Sequence, residues 1–327
     1  MSVGSATELL AEEGSVDAVE LAAGDVTARS PRQLFWRRFR SDRVAMVSAI
    51  FIVLLILLAI FAPLVVKLLG LPGPYKQDPG ATDAFGSPLG PTSGHPFGVD
   101  QLGRDVASRV IYGARVSLEV GILGTAIATV IGTVFGLVAG FYRGWVDTGI
   151  SRLVEVFLAF PVLVLGLGIG AACGVRGCAG GLIQPGLGTL LFIIAISSFT
   201  YIARIARGQV LSLREKEFIE ASRSLGASNR RILFREILPN LMAPLIVYSS
   251  LLIPTNILLE AGLSFLGVGI RPPTASWGQM ISDASGIFNT AWWYMVFPGA
   301  ALLLTVLAFN LVGDGLLDAL NPRGESR

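Results

Sequence analysis

Residues 214–240 read REKEFIEASRSLGASNRRILFREILPN, the longest polar interruption in the second half of a very apolar chain. The spacing predicts a short helix from about Glu217 to Leu225, ended by Gly226, because glycine most readily takes the left-handed conformation that closes a helix. Ser228 then caps a second helix running to Leu238, and Pro239 opens the membrane span beyond it. The first helix offers Phe218, Ala221, Ser222 and Leu225 on one side. Small residues let a partner's backbone come close, and an aromatic ring is a ready anchor for a pocket. Arg214, Lys216, Arg223, Arg230, Arg231 and Arg235 surround this helix, the charge that marks a cytoplasmic face. On charge and period alone, an ordinary helical loop outweighs a docking element.

Composition sets the class. The chain has 327 residues, 53% of them hydrophobic and 15% charged, with a mean hydropathy of +0.67. These values point to a membrane protein with several spans. Two cysteines exclude a disulfide framework and any cysteine-rich metal site.

Residues 1–28 are acidic and lack aromatic side chains, so they read as a disordered tail and not as a cleaved signal peptide. Residues 29–43 hold six arginines around Phe35, Trp36 and Phe39, a basic and aromatic membrane-surface segment. A first span is expected over 44–69 and a polar extracytoplasmic loop over 70–112. A five-helix core follows over 113–315, with spans near 114–141, 150–172, 188–205, 241–263 and 292–311 and a cytoplasmic loop at 208–239. Residues 316–327 form a short cytoplasmic tail. In the second span Ala128, Gly132, Gly136 and Gly140 recur every four residues on one face. That stripe fits close helix crossing in lipid better than the lining of a path. Cys173 and Cys178 share one loop, where a local disulfide and free thiols are both open.

Charge sets the expected orientation. With both termini cytoplasmic, only Lys67, Lys76, Arg104, Arg109, Arg115, Arg176 and Arg271 of the 25 basic residues fall outside. The remaining eighteen lie inside, as the positive-inside rule requires of an even number of spans.

Chemistry-bearing patterns are few. No lysine follows a glycine, so the chain has no GK[ST] phosphate loop for ATP. No histidine pair or HExxH offers a metal site. His95, the sole histidine, reads as a turn residue beside Pro96, and Asp100, Arg104 and Asp105 as ion pairs ordering the loop, worth little if exposed. Glu119, Glu155, Glu260 and Asp314 are the carboxylates in or near spans, mostly toward span ends where they are tolerated. Glu260, near the end of the fifth span, is a candidate gate; a helix-end residue holding the loop in place is the equal alternative.

The order Glu220-Ala221-Ser222, three residues, Gly226, then Leu238-Pro239 closely resembles the EAA loop of ABC importer permeases, Glu-Ala-Ala-x-x-x-Gly followed by nine residues and Ile-x-Leu-Pro. Ser222 replaces the second alanine, and Glu236 stands at the usual isoleucine position with Ile237 one residue later. Three further blocks resemble the dipeptide, oligopeptide and nickel branch of that family: HPFGVDQLGRDVASRVIYGARVSL (95–118), EAGLSFLGVGIRPPTASWGQM (260–280) and AFNLVGDGLLDALNPR (308–323). With FWRRFRSDRVA near the start, the similarity covers roughly 33–323 and points to the second of the two permease subunits.

The resemblance implies an all-α membrane protein of six transmembrane helices with the type I ABC importer permease fold, in a bacterial inner membrane. It implies that Phe218, Glu220, Ala221, Ser222, Leu225 and Gly226 form a coupling helix seated in a groove of an ATPase subunit. The expected partners are a related permease, two ATP-binding subunits and an extracytoplasmic substrate-binding protein, within the lipid bilayer and with no nucleic acid. The chain itself is expected to be non-catalytic and to bind no cofactor or metal, ATP with Mg residing on the partner ATPases. Peptides are the expected cargo, with nickel or another small solute as the alternative. From a different class, an ion-coupled secondary transporter would need buried titrating groups. A membrane hydrolase would need a nucleophile and base that the chain does not supply.

Overall fold

The computed structural model describes residues 31–83, 86–174 and 176–320. The expected tail at 1–28 and the basic residues Arg29, Arg323 and Arg327 lie outside the described residues. Eleven helices occur among the described residues: α1 (Pro31–Ser41), α2 (Arg43–Ile60), α3 (Ala62–Leu68), α4 (Val106–Tyr142), α5 (Gly144–Ala159), α6 (Val162–Cys173), α7 (Leu187–Leu213), α8 (Glu217–Ser224), α9 (Asn229–Phe265), α10 (Trp277–Ser285) and α11 (Trp292–Leu320). Five of them (α2, α4, α7, α9 and α11) are each long and apolar enough to cross a bilayer, and α5 with α6, bent by 89°, brings the number to six when the pair is counted as one span. The end carrying α8 is called the basic end below; the opposite end carries residues 70–105.

The centre of the bundle is the crossing of α4 on α7. A Cβ built on Gly132 would stand 2.6 Å from the Phe199 carbonyl oxygen, one on Gly136 2.5 Å from the Ala203 oxygen, and one on Gly140 2.7 Å from Val210 Cβ. The two backbones approach only because these side chains are missing. The small-residue stripe is therefore a packing seam, as expected where lipid offers no hydrophobic drive and van der Waals contact holds helices together.

Several boundaries differ from those expected, each for a local reason. Helix α4 begins at Val106, eight residues before 114, because Asp105 caps it by accepting from Ser108 N at 2.7 Å. The loop expected over 70–112 thus ends at 105. The third span is not one helix: α5 and α6 meet at 89°. Phe160 precedes Pro161 and is extended at φ −88°, ψ 131°, since the proline ring disfavours a helical neighbour before it. Pro239, by contrast, breaks nothing. A π-turn at Ile232–Ile237, in which Leu238 N bonds Leu233 O five residues back, carries the chain into α9 without interruption. Helix α11 also runs to Leu320, through positions assigned to a tail.

At one end, α1 stacks Phe35 and Trp36 on Phe39, with Arg40 over the Trp36 ring at 5.0 Å. Phe39 packs with Ala45 and Ala319, which seats this basic helix against α11. At the other end the polar lobe is not loosely ordered. Asp100 accepts from Arg104 Nε at 2.6 Å and lies 3.4 Å from Arg109 Nε, all three side chains buried. Arg109 also donates to the carbonyls of Pro74 and Pro273, at 3.3 and 3.4 Å. The expected ion pair of Asp100 and Arg104 forms, and it is buried and not exposed; Arg109 joins it, so one buried cluster ties the lobe, α4 and the loop before α10. Asp105 stands apart from it, holding His95 Nδ1 at 3.0 Å, so His95 is a tie within the lobe. Cys173 and Cys178 are disulfide-bonded.

Candidate functional site

Helix α8 is short, and its sequence explains both ends. Glu217 and Glu220 lie in its first turn and Arg223 in its last, each charge opposing the local helix dipole. Gly226 at φ +78° reverses the chain. Its N–H bonds Arg223 O at 2.9 Å, and Ala227 N bonds Ser222 O at 3.0 Å, the paired bonds of a Schellman stop. Ser228 then accepts from Arg231 N at 3.4 Å to start the next helix.

Ile219 decides how α8 sits. It is fully buried, packed with Phe141 of α4, Val210 of α7 and Ile232, Leu233 and Ile237 of α9. With that side chain inserted, the rest of the helix faces away from the bundle. Phe218 is 40% exposed and Leu225 88%, with Glu220, Ala221 and Gly226 exposed beside them and Ser222 half-buried. Five of the six residues singled out in the sequence are thus exposed, with Phe218, Ala221 and Leu225 on one face, and Ser222 is half-buried. The π-turn also accounts for Ile237 standing one residue later than the family spacing: bonds to the fifth residue place Ile232 and Ile237 together in the core.

Polar ties fix the base of this helix to the neighbouring turn. Arg214 donates to Phe141 O at 2.6 Å, satisfying a carbonyl at the end of α4. Burial, then repulsion from Arg143 and Arg223, lowers the Arg214 pKa from its ordinary value; an arginine so shifted still keeps its charge. Arg143 pairs with Glu215. Arg207 grips Asp147 through two bonds, at 2.5 and 2.8 Å. A displacement of α8 thus has direct routes into α4, α7 and α9 through Ile219, and α7 is tied in turn to α5 by Arg207 and Asp147. Ile219 and Arg214 were not singled out from sequence. The signal for Ile219 was its being the one branched aliphatic residue within α8; nothing local marks Arg214 as a partner of Phe141.

Glu260 lies far from α8 and is fully buried. Its carboxylate accepts from Ser264 at 2.7 Å and from Ser117 of α4 at 3.1 Å. Hydroxyls stand in for water around this buried carboxylate. One turn earlier, Asn256 donates to Thr125 at 2.8 Å and accepts from Ser198 at 2.7 Å, a polar crosslink of α4, α7 and α9 inside the bundle. Ser249 and Thr129 meet at 2.8 Å on the same seam.

Known proteins resemble this chain over most of its length. Residues 132–325 match the family described as "Binding-protein-dependent transport system inner membrane component", and residues 30–91 match the "N-terminal TM domain of oligopeptide transport permease C". The chain is similar to the glutathione transport system permease protein GsiD of Escherichia coli O6:K15:H31, 41% identical over 95% of this chain and 96% of that one. It is also similar to the GsiD protein of Shigella boydii serotype 4, 42% identical over 90% and 91%. Among solved structures, the inward-facing MetNI methionine ABC transporter matches 65% of this chain and 96% of its own with a TM-score of 0.54, at 20% identity, a likeness of fold. The chain therefore belongs to the binding-protein-dependent inner-membrane components of ABC importers, in the dipeptide, oligopeptide and nickel branch, and is a multi-pass membrane permease of the type I importer fold.

Proposed function

We infer that this permease forms half of the translocation path of an ATP-driven importer of short peptides and meets an ATPase subunit through α8. The observation that carries the reading is the split of α8 into one buried anchor, Ile219, and an outward surface of Phe218, Ala221, Leu225 and Gly226. An exposed aromatic ring is a ready anchor for a partner's pocket, and the small residues beside it let that partner's backbone come close. Eighteen basic residues against seven, counted from the 25 in the chain, support the reading that this end and both termini face the cytosol. ATP binding draws two ATPases together; each carries its seated helix, and the ties at Phe141, Asp147 and Ile219 pass the shift to the spans. Two packed arrangements, open to either side, then exchange. The related permease, the two ATP-binding subunits and the external binding protein complete the assembly, with ATP and Mg on the ATPases.

The branch also contains nickel importers, and nickel or another small solute remains the second cargo. Similarity to glutathione permeases favours a peptide-like one. The ion-coupled secondary transporter weighed from sequence is set aside by membership of an ABC family. Gly226→Val tests the coupling. The position is open in space but sits at φ +78°, so the substitution strains only the turn. The assembled transporter should keep its spans inserted and hydrolyse ATP without uptake. Wild-type uptake by this variant would count decisively against α8 as the link.

A further inference from the structure

The bend between α5 and α6 leaves a cavity of about 520 Å³ against α7 and α9, within the size range of small-molecule sites. Phe157 and Phe160 wall one side, and Ser197, Tyr201, Thr255 and Asn256 the other; no Asp, Glu, Lys, Arg or His lines it. Asn256 is engaged at both ends of its amide, to Thr125 and Ser198, and so fixes this wall. Ser197 is different: its Oγ is buried and has no hydrogen-bond partner among the described residues. A hydroxyl left so is unfavourable and calls for a partner. Beside it, Tyr201 is 55% exposed, and Thr255 Oγ, which donates to Leu251 O at 3.4 Å, keeps its lone pairs.

Hydroxyls that donate and accept, opposite two aromatic rings, match a peptide unit flanked by an apolar side chain. They do not match a metal ion, which takes imidazole, thiolate or carboxylate ligands. We propose that this cavity is the cargo-contacting half-site of the passage, taking an uncharged, amide-bearing stretch of a short peptide and excluding metal ions. The assignment rests on the peptide-importer reading above. Ser197 is the contact that the cargo completes, and the break at Pro161 is what makes room for it.

The transporter, assembled with its partner permease, ATPases and binding protein in proteoliposomes, provides the test, with trialanine and Ni²⁺ as the cargoes offered. Ser197→Ala removes a hydroxyl that bonds nothing in the protein, so a merely structural role leaves uptake unchanged. A cargo contact instead lowers trialanine uptake by about threefold to tenfold, the worth of one hydrogen bond. The two native cysteines are paired, so Thr255→Cys adds this chain's one reactive thiol; during ATP turnover a water-soluble maleimide should label it, and trialanine should slow the labelling. Trialanine uptake with no effect of Ser197→Ala and labelling blind to peptide would overturn the half-site and leave the peptide-importer reading intact. Labelling only by a lipid-soluble maleimide would make the cavity a lipid crevice and overturn the half-site likewise. Uptake of Ni²⁺ in place of trialanine would overturn both.

Discussion

The two ends of this bundle use the same residue types in opposite ways. In the lobe, the side chains of Asp100, Arg104 and Arg109 are 1%, 9% and 2% exposed. At the basic end, Arg143 and Glu215 are 45% and 67% exposed, and Arg152 and Glu155 76% and 55%. A buried charge must be paired and hydrogen-bonded, so the lobe cluster locks one arrangement of three chain segments. Exposed pairs are weak and readily exchanged. The Arg207–Asp147 pair lies between these extremes, at 36% and 17%, and α8 itself is seated by an apolar plug, Ile219, with its exposed residues left to a partner. One end is built to hold, the other to be held.

The comparison is broken most directly at Asp100. Asp100→Ala leaves Arg104 and Arg109 buried without their anion, at a cost of about 3–5 kcal/mol. Hydrogen exchange of the lobe in the purified protein should show it, as should a lowered unfolding midpoint. The carboxylate also accepts from Leu102 N and Arg104 N. Asp100→Asn keeps an acceptor for those bonds and removes the charge, so its share of the loss measures the charge alone. If Asp100→Ala proves silent, the lobe is not held by its buried cluster.

Ile219→Ala is the counterpart at the basic end. Removing a buried isoleucine costs about 2–4 kcal/mol. Here the loss falls on a helix of 8 residues with one buried side chain, so α8 should detach locally while the spans stay intact. Exchange of the amides of α8 should rise, those of α4 and α7 should not, and ATP hydrolysis should lose its coupling to uptake. A global loss of stability would show that α8 is part of the core and not a mounted element.

What could be read without the fold follows the same division. The stop at Gly226, the cap at Ser228 and the glycine stripe of α4 are local signals, a dihedral requirement or a four-residue period, and each stands where it was expected. The Phe160–Pro161 break was equally local but hidden in an unbroken apolar run, where hydropathy alone reports a single span. Pro239 opens the α-helical stretch beyond the π-turn, as expected, but the turn joins that stretch to the helix before it without a break. The Arg109 clamp was out of reach: its partners lie 35 and 164 residues away, and no spacing rule pairs them. The exposed residues of α8 were legible; its anchor, and the bond from Arg214 to Phe141 at its base, are tertiary.

The smallest effect is expected at Arg152. It pairs with Glu155 at 2.7 Å, one turn on, with both groups mostly in solvent. Desolvation is slight there, salt screens the attraction, and ordering two long side chains offsets what remains. Arg152→Ala should therefore shift stability by less than about 0.5 kcal/mol, read as an unchanged unfolding midpoint at low and high salt. That null result is informative only beside Asp100→Ala, since both remove one member of an ion pair at close distance. If burial decides the outcome, the two variants separate by several kcal/mol. If they do not, the pair at Arg152 is closed off by something that covers the basic end. A docked subunit is the first thing to look for, by repeating the measurement on the permease with and without its ATPases.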